Sequence, residues 1–197
     1  MSGETRTYTK RARAEAEEAT RLRITESALA LHGTLGPSRT TMSAVAEHAG
    51  VTRSTLYRHF PDDAAVFDAC SAHWAAANPP PDTTPWPAIA DPGKRTRTAL
   101  GEIYPWFRRN EQMLANLLRD EDSVPVVKER FAVFHAFLAS IEEMLLAGRG
   151  VRGNARRRTT AAIGHALVLT TWQSLAGRGL SDAEAADLMT ALVDQAA

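Results

Sequence analysis

Seven of the ten residues in TRSTLYRHFP, Thr52 to Pro61, end in a hydrogen-bonding group: Thr52, Arg53, Ser54, Thr55, Tyr57, Arg58 and His59. Arginine pairs bidentately with guanine edges, Ser and Thr hydroxyls serve bases or phosphates, and Tyr and His commonly take phosphates. Only Leu56 and Phe60 are clearly apolar. At about 100° per residue these two share one side of a helix, with Ser54, Thr55 and Arg58 opposite. So short a helix cannot persist alone. Its neighbours must clamp it, and its outer face must be useful to something. The residue types suit the reading of nucleic acid; the bland alternative is a solvated face.

The clamp is legible just upstream, in TTMSAVAEHAGV, residues 40–51. Thr41 is placed to cap a short helix over about 42–49, with Met42, Val45, Ala46 and Ala49 as its inner stripe. Ala46 is small enough for a close helix crossing. Gly50 suits a tight turn that needs positive φ. Val51 plugs the corner, Thr52 caps the next helix, and Pro61 stops it. This is the pattern of a helix-turn-helix, whose second helix enters the DNA major groove with its N-terminal residues nearest the base edges.

The rest of the chain reads as all-α. Gly and Pro punctuate helical periods, and strand-like alternation is nearly absent. Residues 1–10 are polar and expected to be disordered. A first helix is expected over about 14–34, through Ile24, Ala28, Leu31 and Leu35, and a fourth over about 62–77. Residues 78–93 hold six of the ten prolines and read as a stiff connection; Trp86 within it is expected to dock on a core. Further helices are expected over about 94–109, with a kink at Pro105, then 111–121, 125–147, 154–177 and 182–196. Ser181 and Glu184 fit a capping box at the start of the last. The 154–177 stretch is apolar on more than one face, so it must be covered on both sides. The domain boundaries read as 14–62 for a helix-turn-helix domain and 63–197 for a larger helical one.

Residues 40–69, with the pattern AGV-T-x-x-TLY-x-HF, resemble the DNA-binding domain of the TetR, or tetracycline-repressor-like, family of bacterial regulators. The resemblance implies an N-terminal three-helix helix-turn-helix domain followed by a helical ligand-binding and dimerisation domain. It implies a repressor released from a palindromic double-stranded operator by a small inducer, and no cofactor. By position, Thr41 would touch phosphate; Thr52, Arg53, Ser54 and Thr55 would enter the groove; Tyr57, Arg58 and His59 would bind backbone or bases. Two departures stand out. The family often has a lysine just after the Phe, where this chain has Asp62 and Asp63. Its second helix often has an acid at the third position, where this chain has Met42, Ser43 and Ala44 after the cap.

The second half gathers Trp106, Phe107, Phe131, Phe134, Phe137 and Trp172, with His135 among them and His165 nearby. Helical spacing makes core packing the default. A pocket for a largely apolar ligand is what the family resemblance adds. Ile163, Leu167, Leu188, Leu192 and Val193 on the last two helices are candidates for a homodimer surface. A two-fold partner would double the bases read. The alternative is that they pack only within the chain.

Rival functions are poorly supplied. Cys70 and His73 share a helical face, but two ligands do not make a metal site. No phosphate-binding Gly loop, HExxH or GxSxG occurs, so no enzyme is expected. Alternatives that remain are a constitutive regulator without an inducer, a dimer that has lost DNA binding through Asp62 and Asp63, or a remote metal-binding helical protein. The loop over 148–159 holds five arginines and reads as solvated, with anion binding as the alternative. The chain is formally neutral, yet residues 1–60 carry nine Lys and Arg against six Asp and Glu. That weak basic bias leans toward a polyanion. Arg11 and Arg13 read either as an arm toward phosphates or as a basic tail. No run approaches a membrane span, no secretory signal core is visible, and one cysteine permits no internal disulfide. A cytoplasmic protein is therefore expected.

Overall fold

The computed structural model describes the backbone from residue 2 to 197 and side chains from residue 10 onward. Residue 1 and the side chains of residues 2–9 lie outside the described residues, while the backbone of residues 2–10, expected to be disordered, belongs to the first helix. Among these the architecture is all-α, with helices α1 (Ser2–Thr34), α2 (Met42–His48), α3 (Arg53–His59), α4 (Asp63–Ala77), α5 (Pro92–Asp120), α6 (Pro125–Leu146), α7 (Gly153–Ala166), α8 (Leu169–Ala176) and α9 (Asp182–Ala196). Short 3-10 turns lie at Pro37–Arg39 and Trp86–Ala88. The chain forms two compact units. One runs to Pro79 and takes in Arg119–Val127; the other holds Pro80–Leu118 and Lys128–Ala197.

The first unit is built on the stripes the sequence displays. Ile24 and Ala28 of α1, Met42, Val45 and Ala46 of α2, Leu56 of α3, and Val66 and Cys70 of α4 form one core with Ala49 and Phe60. Leu56 and Phe60 are fully buried. Thr41 caps α2 by accepting the Ala44 N–H at 3.2 Å, and Asp62 caps α4 by accepting that of Ala65 at 2.8 Å. The turn between α2 and α3 has Gly50 at φ +64.

A second turn ties α1 to the segment Arg119–Val127 of the same unit. Gly36 has φ 92 and ψ 158, a region open essentially to glycine alone. An added Cβ would collide with Nη2 of Arg119 and Oδ2 of Asp120. That closeness lets Arg119 donate to the Leu35 carbonyl at 3.0 Å and lets the buried Asp120 carboxylate accept the Ser38 N–H at 3.0 Å. Gly36→Ala is expected to lower stability by about 1–3 kcal/mol, read by urea unfolding. A change within a few tenths would show that the turn relaxes freely.

The second unit corrects two expected boundaries. Residues 92–120 form one helix, not two, with Pro105 inside it. The residue four back, whose carbonyl loses its helical N–H partner to the proline, is exposed Gly101. Asn110, between the two expected helices, is buried and donates to the Trp106 carbonyl at 2.8 Å. Conversely, the expected 154–177 helix is broken at Leu167 and Val168 into α7 and α8. Ile163 and Trp172 are nine residues apart, about half a turn around on a straight helix. The break allows both to be almost fully buried.

The final helix is fastened by its acids. Arg97 meets Asp187, Arg108 meets Asp182, and Arg149 meets Asp194. Trp172 also donates to Asp182 at 2.8 Å. The capping box of Ser181 and Glu184 is present. Trp86 is buried, as its place in the proline-rich connection suggested.

Candidate nucleic-acid interface

Helix α3 has seven residues, of which only Leu56 is buried. Arg53, Ser54, Tyr57 and Arg58 are exposed, and Thr55 is half-buried. The Thr52 hydroxyl accepts the Thr55 N–H at 3.1 Å and bonds the hydroxyls of Ser54 and Thr55, each at 2.9 Å. Three hydroxyls thus form one cluster at the N-terminal end of the helix, anchored by the cap. Thr52 is largely committed to holding the backbone, while Ser54 and Thr55 keep capacity for an outside partner. The Arg53 guanidinium lies 5.8 Å from the Tyr57 ring centroid, so the ring helps orient it. Arg58 has no side-chain partner among the described residues. Thr41 is exposed at the start of α2.

His59 behaves differently from its neighbours on α3. It is half-buried, and its Nε2 is enclosed without a partner. Its backbone carbonyl accepts a bond from Arg21 Nη1 at 2.9 Å. The Arg21 guanidinium also lies 4.2 Å over the Phe60 ring. Sequence reasoning missed Arg21, because 38 positions separate it from its partner. Arg11 and Arg13, read as an arm or tail, are on α1 and pair with Glu15 and Glu17.

The first-unit match is to the bacterial regulatory proteins of the tetR family, over residues 24–70. The N-terminal domain is a TetR-family DNA-binding domain. No curated protein matches the chain. Among solved structures, a TetR-like transcriptional regulator from Rhodococcus sp. RHA1 is 18% identical with a TM-score of 0.60, covering 88% of this chain and 93% of that one. A Clostridium perfringens protein described as a fatty acid metabolism regulator is 16% identical with a TM-score of 0.62, covering 89% and 98%. Another Rhodococcus transcriptional regulator is 14% identical with a TM-score of 0.58, covering 89% and 96%. At these identities the likeness shows the fold alone: a TetR-like fold, with a helix-turn-helix domain followed by a helical C-terminal domain.

In that C-terminal domain the aromatic candidates pack against one another. Ring centroids lie 6.1 Å apart for Trp106 and Phe134, 4.8 Å for Phe131 and Phe134, and 5.3 Å for Phe131 and His135. Trp106 also meets Phe107, and Phe107 meets Trp172. Trp106, Phe107, Phe131 and Trp172 are buried; Phe134 and Phe137 are half-buried, and His135 is exposed. His165 is exposed, with Thr171 at 3.4 Å. A separate cavity of about 490 Å³ is lined by Glu143, Leu146, Val151, Arg152 and Arg156, and none of the aromatic set lines it. Of the five loop arginines, Arg149 is structural: it bonds the Leu145 and Pro92 carbonyls and Thr96 besides Asp194.

The candidate dimer residues divide. Ile163, Leu167 and Val193 are almost fully buried in their own unit, whereas Leu188 and Leu192 are 42% and 46% exposed. Val168, at the α7–α8 break, is 42% exposed.

Cys70 does not pair with His73. Its Sγ lies 3.2 Å from the Phe67 carbonyl and 3.4 Å from His32 Nδ1. Burial pushes the thiol up to about 12 and lowers His32 to about 4, against the pull of nearby Asp120. Both are neutral at pH 7, so Cys70 is a poor nucleophile or metal ligand there. Among the described residues no group of three His, Cys, Asp or Glu side chains could hold a metal ion. No helix there is long and apolar enough to cross a membrane.

Proposed function

We propose that this protein is a homodimeric transcriptional repressor that grips a palindromic operator with α3 of each subunit and is released by a small, largely apolar ligand. The observation that carries the DNA-binding part is the outer face of α3. Arg53, Ser54 and Arg58 stand exposed on a helix anchored in the core by Leu56 and Phe60. Thr41, Thr55 and Tyr57 extend that face, while Thr52 and His59 serve mainly to position it. Duplexes from the promoter region beside its own gene, titrated across a salt series, test the reading. A specific complex weakens steeply as salt rises and outcompetes random duplex. No preference over random duplex refutes it.

The dimer part rests on Leu188 and Leu192, four residues apart on one face of α9 and exposed although large and apolar. Such a pair gains by burial against a two-fold copy. The double substitution Leu188→Asp, Leu192→Asp is expected to give a monomer in sedimentation equilibrium at micromolar concentration, with operator affinity falling at least tenfold. A wild-type chain that is itself monomeric there defeats the dimer.

Ligand release is supported by the run of aromatic rings ending in half-buried Phe134, with Phe137 half-buried on the same helix. A second reading, a constitutive regulator, is favoured by how closely those rings pack on each other. Tryptophan fluorescence of the DNA complex during titration with apolar compounds separates the two. We also read the chain as non-enzymatic, in line with the neutral Cys70 and His32, and as working in the cytoplasm, where DNA is reached.

A further inference from the structure

We infer that Arg21, on α1 and outside the helix-turn-helix, is a phosphate-contact residue of the DNA interface; this rests on the DNA-binding reading above. Its guanidinium is fixed in two ways, by the Phe60 ring at 4.2 Å and by the His59 carbonyl at 2.9 Å. That carbonyl belongs to the last residue of α3, where helical carbonyls lack partners and the helix dipole is negative. Arg21 therefore caps the recognition helix from another element.

The cap uses one of five N–H donors. The side chain is exposed, and its Nε and Nη2 have no partner among the described residues. A guanidinium held in plane by a ring and a carbonyl presents its remaining donors in a fixed direction. That is the fork geometry that matches a phosphate.

The position supplies the partner. A seven-residue helix is about 10 Å long, and the major groove is about 12 Å wide. A backbone must therefore pass near the end of α3 when its N-terminal residues face the bases. The next residues in the chain are the exposed acids Asp62 and Asp63, which repel phosphate. Asp62 is committed to capping α4. Arg58 adjoins this corner in the chain, and Arg21 is a cation held in place at it.

The test is the salt dependence of operator binding for the wild type, Arg21→Gln, Arg21→Met and Arg21→Lys. Arg21→Met keeps an unbranched stem over Phe60, so one neutral variant retains the packing if the other unfolds. Loss of one phosphate contact lowers the slope of log K against log salt by about 0.9 for each bound subunit. We expect that drop in both neutral variants and a wild-type slope in Arg21→Lys. Neutral variants that keep the wild-type slope overturn the inference and leave Arg21 as a helix cap only. Arg53→Ala in parallel separates this from failure of the underlying reading. If the wild type shows no preference for its promoter duplex, DNA recognition itself is wrong. If wild type binds, Arg53→Ala does not, and the neutral Arg21 variants keep their slope, only the role of Arg21 is wrong.

Discussion

Arg53→Ala is expected to abolish detectable operator binding while leaving the unfolding midpoint unchanged. The side chain stands at the first position of α3, next to the Thr52 cap, where a recognition helix comes nearest to base edges. One lost bidentate arginine contact costs roughly tenfold to a hundredfold in discrimination. In a two-fold complex both half-sites lose it, and distant sites add in free energy, so the factors multiply. Folding should be spared, because Arg53 is exposed and its guanidinium lies only loosely over the Tyr57 ring, at 5.8 Å. That contact makes a second substitution informative. Tyr57→Phe keeps the ring under the guanidinium and removes the hydroxyl; Tyr57→Ala removes both. If the ring serves to orient Arg53, Tyr57→Phe binds within a few-fold of wild type and Tyr57→Ala resembles Arg53→Ala. An Arg53→Ala protein that binds its operator normally in a gel-shift titration would show that α3 is not the reading element.

Where function depends on neighbours along the chain, the sequence was readable. Leu56 and Phe60 identify themselves as anchors by lying four apart in a polar stretch, and Thr41, Gly50 and Thr52 mark the turn by side-chain type and backbone freedom. Structure adds what distant pairing decides. Arg21 reaches across 38 positions to His59, and Ser38 across 82 to Asp120; no local period announces either. Cys70 shows how local spacing misleads. His73 shares its helical face, but the thiol turns inward to His32 of α1. The α7–α8 break was half-visible. Two apolar faces signalled burial on both sides, but a straight helix and a broken one satisfy that pattern equally. The division among the dimer candidates had the same origin, since amphipathic spacing shows that Ile163, Val193, Leu188 and Leu192 are apolar but not which of them the subunit covers itself. Asp62 and Asp63 are partly accounted for, because Asp62 is needed as the cap of α4.

Acidification from pH 6.5 toward 4 is expected to destabilise the DNA-binding unit, and His32 is the main cause at the upper end of that range. The ring is buried against Phe67, with centroids 5.5 Å apart, and beside the Cys70 thiol. Burial takes its pKa from 6.5 to about 4, despite the nearby Asp120 carboxylate, which pulls it upward. The unfolded chain therefore binds a proton that the folded chain refuses throughout that window. The stability contributed is complete above pH 6.5 and is lost as pH falls toward 4. The full loss is about 3 kcal/mol, at about 1.4 kcal/mol per pH unit, a large share of the 5–15 kcal/mol typical of a domain. Asp120 adds its own loss only at lower pH. Burial raises its pKa, but the bonds from Arg119 and Ser38 outweigh this and hold it below the ordinary carboxylate range. Cys70 stays neutral across the window. His32→Phe replaces the ring with one that cannot ionise. Urea unfolding of the wild type should lose about 2 kcal/mol between pH 6.5 and 5, and the variant should lose distinctly less. His32→Phe also deprives Cys70 of a partner, so its stability at pH 7 is not the readout; the slope against pH is. Equal slopes in the two proteins would mean that His32 is protonated in the folded unit, held by Asp120 rather than excluded by the apolar surroundings.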